Sequence, residues 1–213
     1  MAPRTKTADA EVDTEGPRSK RKMILEAAID HFGKVGFEQT KWSTVADEVG
    51  IGQTALYHYF ESKNHCLLTI MRMELDDSLK RFKAATASAS NATEALRAAV
   101  ASAYEGNYPR DALQRRILQS HVDMLASPRP SEKEETERNL SRTLVREIEQ
   151  EWADLIRRGI KERVFVDRDP DMTAALVLAM IVSVWRWYRP GGKRSLPDIA
   201  EFVTESVMRM VLA

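Results

Sequence analysis

The run from Phe37 to Lys63 constrains this chain more than any other, because it holds two short helical patterns around a tight break. Trp42, Val45, Ala46 and Val49 recur at helical spacing and can form one buried stripe. Gly50 stops that helix, as a glycine able to adopt positive φ does. Ile51 can tuck into a core, and from Gln53 a second short helix carries Leu56 and Phe60 four residues apart on one face. Its other face holds Gln53, Thr54, Tyr57 and His58, hydrogen-bonding side chains with no core to serve. Two short helices, a glycine-bearing turn of about 3–4 residues and a polar second helix predict a helix-turn-helix, a unit whose second helix enters the DNA major groove.

The remaining periodicities are helical too. Residues 1–17 are polar and mixed in charge, which predicts a disordered arm. An amphipathic helix is expected from Ser19, with Ile24, Ala28 and Phe32 on one line and an end at Gly33 and Gly36. Glu61–Ser62–Lys63 opens a long fourth helix through Leu67, Ile70, Met71, Leu75, Leu79 and Phe82. Further helices follow over Thr93 to Tyr104 and, after Pro109, over Leu113 to Leu125. Ser131-x-x-Glu134 is a capping box opening a long charged helix, whose buried line is expected to run Leu140, Leu144, Val145, Ile148, Trp152, Leu155 and Ile156. Asp169–Pro170 starts an apolar helix, Met172 to Tyr188, expected to be buried, and Ser195-x-x-Asp198 starts the last one. With no strand pattern and no repeat, the fold class is all-α, with about nine helices.

Composition bounds the function. Of 213 residues 43% are apolar, enough for a sizeable core, and 32 basic residues balance 32 acidic ones. Neutrality does not argue against a nucleic-acid partner, since placement of charge decides that, and Arg18, Lys20, Arg21 and Lys22 cluster far in sequence from Glu132, Glu134, Glu135 and Glu137. The single cysteine, Cys66, fits a reducing compartment and a packing role. The N-terminus lacks the apolar segment of a signal peptide, and Met172 to Trp185 is shorter than the ~20 residues that span a bilayer, so a cytoplasmic protein with no membrane partner is expected. There is no Gly-rich phosphate loop, no His/Cys metal spacing and no nucleophile elbow, so neither catalysis, a metal nor a cofactor is predicted. Asp167-x-Asp169-x-Asp171 lacks the turn glycine of a calcium loop and is interrupted by Pro170, which suits a helix cap better.

The block Ile24–Leu25, Ala28, Phe32, Gly36–Phe37, Val45–Ala46, Gly50–Ile51, Leu56–Tyr57–His58–Tyr59–Phe60, Ser62–Lys63 and Leu67 resembles, without gaps, the N-terminal domain of the TetR family of bacterial transcriptional regulators. The resemblance implies a helical homodimeric repressor, with a helix-turn-helix domain over 18–65 and a ligand-binding and dimerisation domain over 66–213. Its partners would be a near-palindromic double-stranded DNA operator, a second copy of the chain and a small-molecule effector. Carried over by position, Gln53, Thr54, Tyr57 and His58 form the recognition face and Lys63 holds a phosphate, while Thr40 and Ser43 reach the adjacent backbone or a base. The basic run Arg18 to Lys22 would meet the DNA backbone, or serve solubility alone. Lys41 and Gly52 depart from the family's Thr and Ser, both common helix caps; Thr40 is placed to take over the first cap.

Trp187–Tyr188–Arg189–Pro190–Gly191–Gly192 resembles a segment of those TetR-family regulators of steroid-ring and related catabolism whose inducers are CoA thioesters. That shorter match implies an apolar tunnel lined by Tyr104, Leu118, His121, Val122, Trp152, Met180 and Trp185. Arg115, Arg116, Arg186, Arg189, Lys193 and Arg194 would meet the phosphates. The residues before Trp185 are plain aliphatics, unlike those relatives, which leaves other apolar effectors open. The last two helices are also where this family forms a four-helix dimer interface, so Trp185 or Trp187 can instead pack across it. A helical ligand-binding or interaction protein that does not bind DNA is the competing reading, motivated by net neutrality and Gly52.

Overall fold

The computed structural model describes residues 16–106 and 109–212; the predicted arm, up to residue 15, lies outside them. Nine α-helices and one 3-10 turn account for the described chain. Helix α1 (Pro17–Lys34) begins two residues before the expected Ser19, because a proline at the first helical position loses no hydrogen bond and has its φ preset. Helix α2 (Trp42–Val49) ends on Gly50 at φ 68° and ψ 39°, the left-handed cap read from the sequence, and α3 (Gln53–Tyr59) follows after two residues. Next come α4 (Lys63–Thr86), capped by Ser62, and α5 (Ala92–Ser102), capped by Asn91. Helix α6 (Arg110–His121) runs into the 3-10 turn Val122–Leu125. Then α7 (Glu132–Lys161), α8 (Pro170–Trp187) and α9 (Leu196–Val211) complete the chain.

Two cores share these helices. The first joins Ile24, Phe32, Val45, Leu56, Phe60 and Leu67 and extends to Leu113 and Ile117 of α6. The second joins Leu96, Val100, Trp152, Ile156, Val177, Ile181, Trp185 and Val207. Helix α4 threads both, with Leu67 in the first and Phe82 in the second, so it joins the N-terminal helices (the head) to the C-terminal ones (the body). Gly159 of α7 is where Phe165 folds back on the helix: a β-carbon there would overlap the Phe165 ring.

Two expectations about packing fail in part. Along α7, Leu140 is 49% exposed and Leu144, Val145 and Ile148 are half-buried; only Trp152, Leu155 and Ile156 are buried as expected. The first turns of α7 pack through polar groups instead, with Glu134, Arg138 and Ser141 buried. The capping box is likewise half formed. Ser131 accepts from the Glu134 amide, but the Glu134 carboxylate accepts from the Ser62 hydroxyl at 2.5 Å. Helix α8 is buried on one face only: Ala174, Val177, Ile181, Val184 and Trp185 face inward, while Met172, Leu176 and Trp187 are 65%, 56% and 55% exposed. Phe202 of α9 is 75% exposed.

Candidate nucleic-acid interface and body cavities

The head is built so that one face of α3 has to point outward. Leu56 and Phe60 are fully buried, and Phe60 stands edge-on to Trp42, whose ring in turn stacks on Phe32 at 6.5 Å. The turn before α3 is closed by Ile51 N–H donating to the Ala46 carbonyl at 3.0 Å and Gly50 N–H to Asp47 at 3.1 Å. On that base Gln53, Thr54 and His58 are exposed and Tyr57 is 46% exposed. Ser43 is half-buried in the first turn of α2, and Tyr59 packs against the head core. Neither Lys41 nor Gly52 supplies a side-chain cap to the helix it precedes.

Two residues of the expected DNA set stand elsewhere. Thr40 is 5% exposed, and its hydroxyl donates to the Gly36 carbonyl at 2.7 Å, so it closes the turn before α2 and does not take over the cap. The Lys63 ammonium donates to the carbonyls of Phe37 at 2.7 Å and Thr40 at 3.1 Å and lies 4.3 Å from the centre of the Phe37 ring. Its long stem lets it satisfy turn carbonyls that no helix serves. The basic run also divides. Lys20 donates to the Val49 carbonyl at 3.4 Å and Arg21 lies 4.5 Å over the Phe60 ring, whereas Arg18 and Lys22 are exposed.

Head and body are tied by paired helix starts. Ser62, the cap of α4, donates to Glu134 of α7; Ser131, the cap of α7, donates to Glu61 beside Ser62. Arg72 pairs with Glu137 at 2.5 Å next to them. His65 is buried below this joint, 5.5 Å from the Phe60 ring. Burial pulls its pKa below the usual value, against the opposing influence of Glu137 and Glu61. Cys66 is fully buried, and burial pushes its thiol pKa up, which makes it an unreactive packing residue.

The body residues expected to line one tunnel fall around separate spaces. Leu118, Trp152 and Trp185 share an internal cavity of about 100 Å³ with Glu74, Arg81 and Arg115. Since a water takes ~30 Å³ of liquid volume, that space suits a few waters and not an acyl chain with its carrier. Tyr104 is buried against Trp185, with its hydroxyl donating to the Ile181 carbonyl at 3.0 Å, and borders a separate open cavity of about 930 Å³ with Tyr188, Lys193 and Arg194. His121 lines a cleft of about 530 Å³ between residues 33–39 and the ends of α6 and α8. Val122 is 40% exposed, and Met180 packs partly buried on the body core.

The expected phosphate-binding cations divide among the same spaces: Arg116, Arg186 and Arg189 line the cleft that holds His121, Lys193 and Arg194 the open cavity, and Arg115 the internal one. Arg115 is 2% exposed: it pairs with Glu74 at 3.1 Å, donates to the carbonyls of Ala103 and Glu105, and lies 4.9 Å over Trp185. Arg81 holds the same Glu74 oxygen at 2.7 Å. Burial pushes the Glu74 carboxyl above its ordinary range, and the two guanidinium groups offset this in part. Glu74 was missed in the sequence although its spacing could have shown it, since it falls four residues after Ile70 and seven after Leu67 on the buried line of α4.

Known proteins match both halves of this architecture. Residues 24–70 match the family described as bacterial regulatory proteins, tetR family, and residues 89–211 match the tetracyclin repressor-like C-terminal domain. The HTH-type transcriptional repressor KstR2 of Mycobacterium tuberculosis is 33% identical over 200 residues, which cover 91% of this chain and 92% of that one. The solved structure of the ketosteroid transcriptional regulator KstR2 of the same organism superposes with a TM-score of 0.77 at 26% identity, covering 93% and 97% of the two chains. AibR, solved with isovaleryl coenzyme A and operator DNA, shares the fold, with a TM-score of 0.70 at 18% identity over 88% of this chain and 97% of its own. With its N-terminal and C-terminal domains both matched, this chain belongs to the tetR family of bacterial transcriptional regulators.

Proposed function

We propose that the chain acts as a homodimeric repressor that holds a near-palindromic operator and leaves it when a small apolar effector enters the body. The observation that carries this reading is the outward face of α3, polar and exposed over two fully buried anchors, Leu56 and Phe60. Gln53 can bond bidentately to an adenine edge and Thr54 can meet a thymine methyl, while Tyr57, His58 and Ser43 serve phosphate or sugar. Thr40 and Lys63 act beneath them as positioning residues, since both fix the turn that aims α2. Residues 18–65 then work as the head and 66–213 as the body, with α4 carrying motion between them.

The outward sides of α8 and α9 support dimerisation. Met172, Leu176, Trp187 and Phe202 are more than half exposed on a chain whose other large apolar side chains are mostly inside, and a second copy offers the same surface. A CoA thioester is the effector class favoured by the resemblance of residues 187–192 and by the likeness to AibR, solved with isovaleryl coenzyme A. The internal cavity of about 100 Å³ has to open for such a molecule. An effector that binds the open body better than the closed one shifts the heads by that difference in affinity.

Leu176→Glu combined with Phe202→Glu places four charges in the proposed dimer interface. Sedimentation is expected to show a folded monomer whose operator affinity is lower by about 10²-fold or more, because the second head no longer binds as part of one molecule. A double variant that remains a dimer would remove this interface from the account.

A further inference from the structure

The starts of α4 and α7 exchange hydrogen bonds. Ser62 accepts from the His65 N–H at 2.9 Å as the cap of α4, and its hydroxyl donates to Glu134 of α7 at 2.5 Å. Ser131 accepts from the Glu134 N–H at 3.3 Å as the cap of α7, and its hydroxyl donates to Glu61. A hydroxyl has a single hydrogen to donate, so both serines use theirs across the joint. Glu134 is 6% exposed, so its carboxylate is held out of water. Lys133 lies 3.9 Å from Glu61, and Arg72 pairs with Glu137 at 2.5 Å. The α7 side is stiff. Pro128 and Pro130 fix φ just before it. Glu135 accepts from the Arg129 N–H at 2.8 Å and from Arg138 at 2.6 Å, and Arg138 also donates to the Leu125 carbonyl at 3.1 Å. The α4 side leads straight to α3. Glu61 stands two residues after Tyr59, the last residue of α3, and Phe60 between them is fully buried in the head core.

We infer that this exchange sets the pose of the head on the body, which makes Ser131 and Glu134 positioning residues for the spacing of the two half-sites. The consequence for spacing rests on the DNA reading of α3; the placement of the head does not. Through Glu61 and Phe60 the body holds the C-terminal end of α3 by a route that does not run along α4. Attachments at three points, Glu61, Ser62 and Arg72, restrain an angle where a single one would leave a pivot. One base pair of spacing is ~3.4 Å along a duplex. In a two-fold dimer the heads move in opposite senses, so half of that shift at each joint changes the spacing that fits. Ser131 and Glu134 lie on α7 and its cap, away from the exposed face of α3. They therefore bear on how far apart two half-sites stand, and not on which bases each half-site carries.

Ser131→Asp breaks the joint and spares the fold. Asp caps a helix as well as Ser does, so α7 keeps its start, but a carboxylate has no proton for Glu61 and repels it. Adding Glu61→Gln supplies an amide that donates to the new carboxylate. Two measurements on the full chain read the result. Spin labels at Asp47→Cys, exposed on α2, and Lys161→Cys, exposed at the end of α7, report the head–body distance when labelled chains are diluted into unlabelled ones; Cys66 is fully buried and takes no label. Ser131→Asp is expected to broaden or displace that distance and Glu61→Gln to restore it, a rescue that a merely structural role of Ser131 would not give. The second measurement is affinity for operators whose half-sites are moved one base pair closer or further apart. Preference for the selected spacing should fall about tenfold in Ser131→Asp, the loss of one charge-assisted contact, with the preference at each base of a half-site unchanged. Glu134→Ala should act in the same direction, and Glu134→Gln, which keeps an acceptor for the Ser62 hydroxyl, should not. An unmodified chain that selects no operator would count against the DNA reading and leave the distances to judge the joint. An unchanged head–body distance in Ser131→Asp, a failed rescue, or an unaltered spacing preference would overturn the proposal.

Discussion

Replacing Glu74 with alanine is expected to lower folding stability by about 3–5 kcal/mol, the cost of removing the carboxylate shared by Arg81 and Arg115 from a buried ion pair. Glu74 is 4% exposed and joins α4 to α6 through Arg115, itself 2% exposed. A guanidinium stays charged at any pH a protein survives, so Arg115 cannot escape by losing its proton. In the variant Arg115 keeps its bonds to the carbonyls of Ala103 and Glu105 but loses the Glu74 carboxylate. Urea unfolding measures the loss, and the Arg115→Met single and Glu74→Met, Arg115→Met double variants complete the comparison. The double variant should be less destabilised than the sum of the singles, since the two residues interact directly and the buried Glu74–Arg115 contact is lost only once. A Glu74→Ala loss below about 1 kcal/mol, the scale of a typical surface pair, would mean that this network is not a desolvated one.

The second large effect is on DNA and spares the fold. Gln53→Ala removes an exposed side chain, so stability should change by no more than about 0.5 kcal/mol. If Gln53 reads a base, each half-site loses about 1–3 kcal/mol of discrimination. Two half-sites double that to about 2–6 kcal/mol, a loss of roughly 30-fold to more than 10⁴-fold in operator affinity. Fluorescence anisotropy at fixed salt measures it, because the phosphate contribution changes steeply with ionic strength. The variant should also bind operators altered at the contacted base as well as it binds the original. An unchanged affinity for the original operator would move base reading away from the start of α3.

These two residues also mark what a sequence alone can tell. Gln53 was legible because α3 is short and its apolar pair, Leu56 and Phe60, fixes one face and so exposes the other. Gly50 was legible because a left-handed cap is a local requirement. The bonds that Lys63 and Thr40 make in the fold were not, since their partners lie on the turn of residues 36–40 and only the folding of α4 beside that turn brings them together. Arg115 was expected to meet an effector phosphate, and its burial goes with Glu74, 41 positions away. Helix α8 is apolar around much of its circumference, so hydropathy alone could not say which side its neighbours cover. The expected tunnel failed for a related reason: helical spacing places Tyr104, Leu118, Trp152 and Trp185 inside, but the space left among them depends on how five helices pack.

Selection of bound sequences from a random double-stranded DNA pool by the full-length chain tests the central claim most directly. Two identical heads held by one dimer should enrich a near-palindrome whose half-site centres lie about one helical turn, ~10–10.5 base pairs, or a multiple of it apart. Enrichment of a single asymmetric half-site would contradict the paired-head arrangement, and no enrichment at all would contradict the assignment of α3 as a reader of DNA.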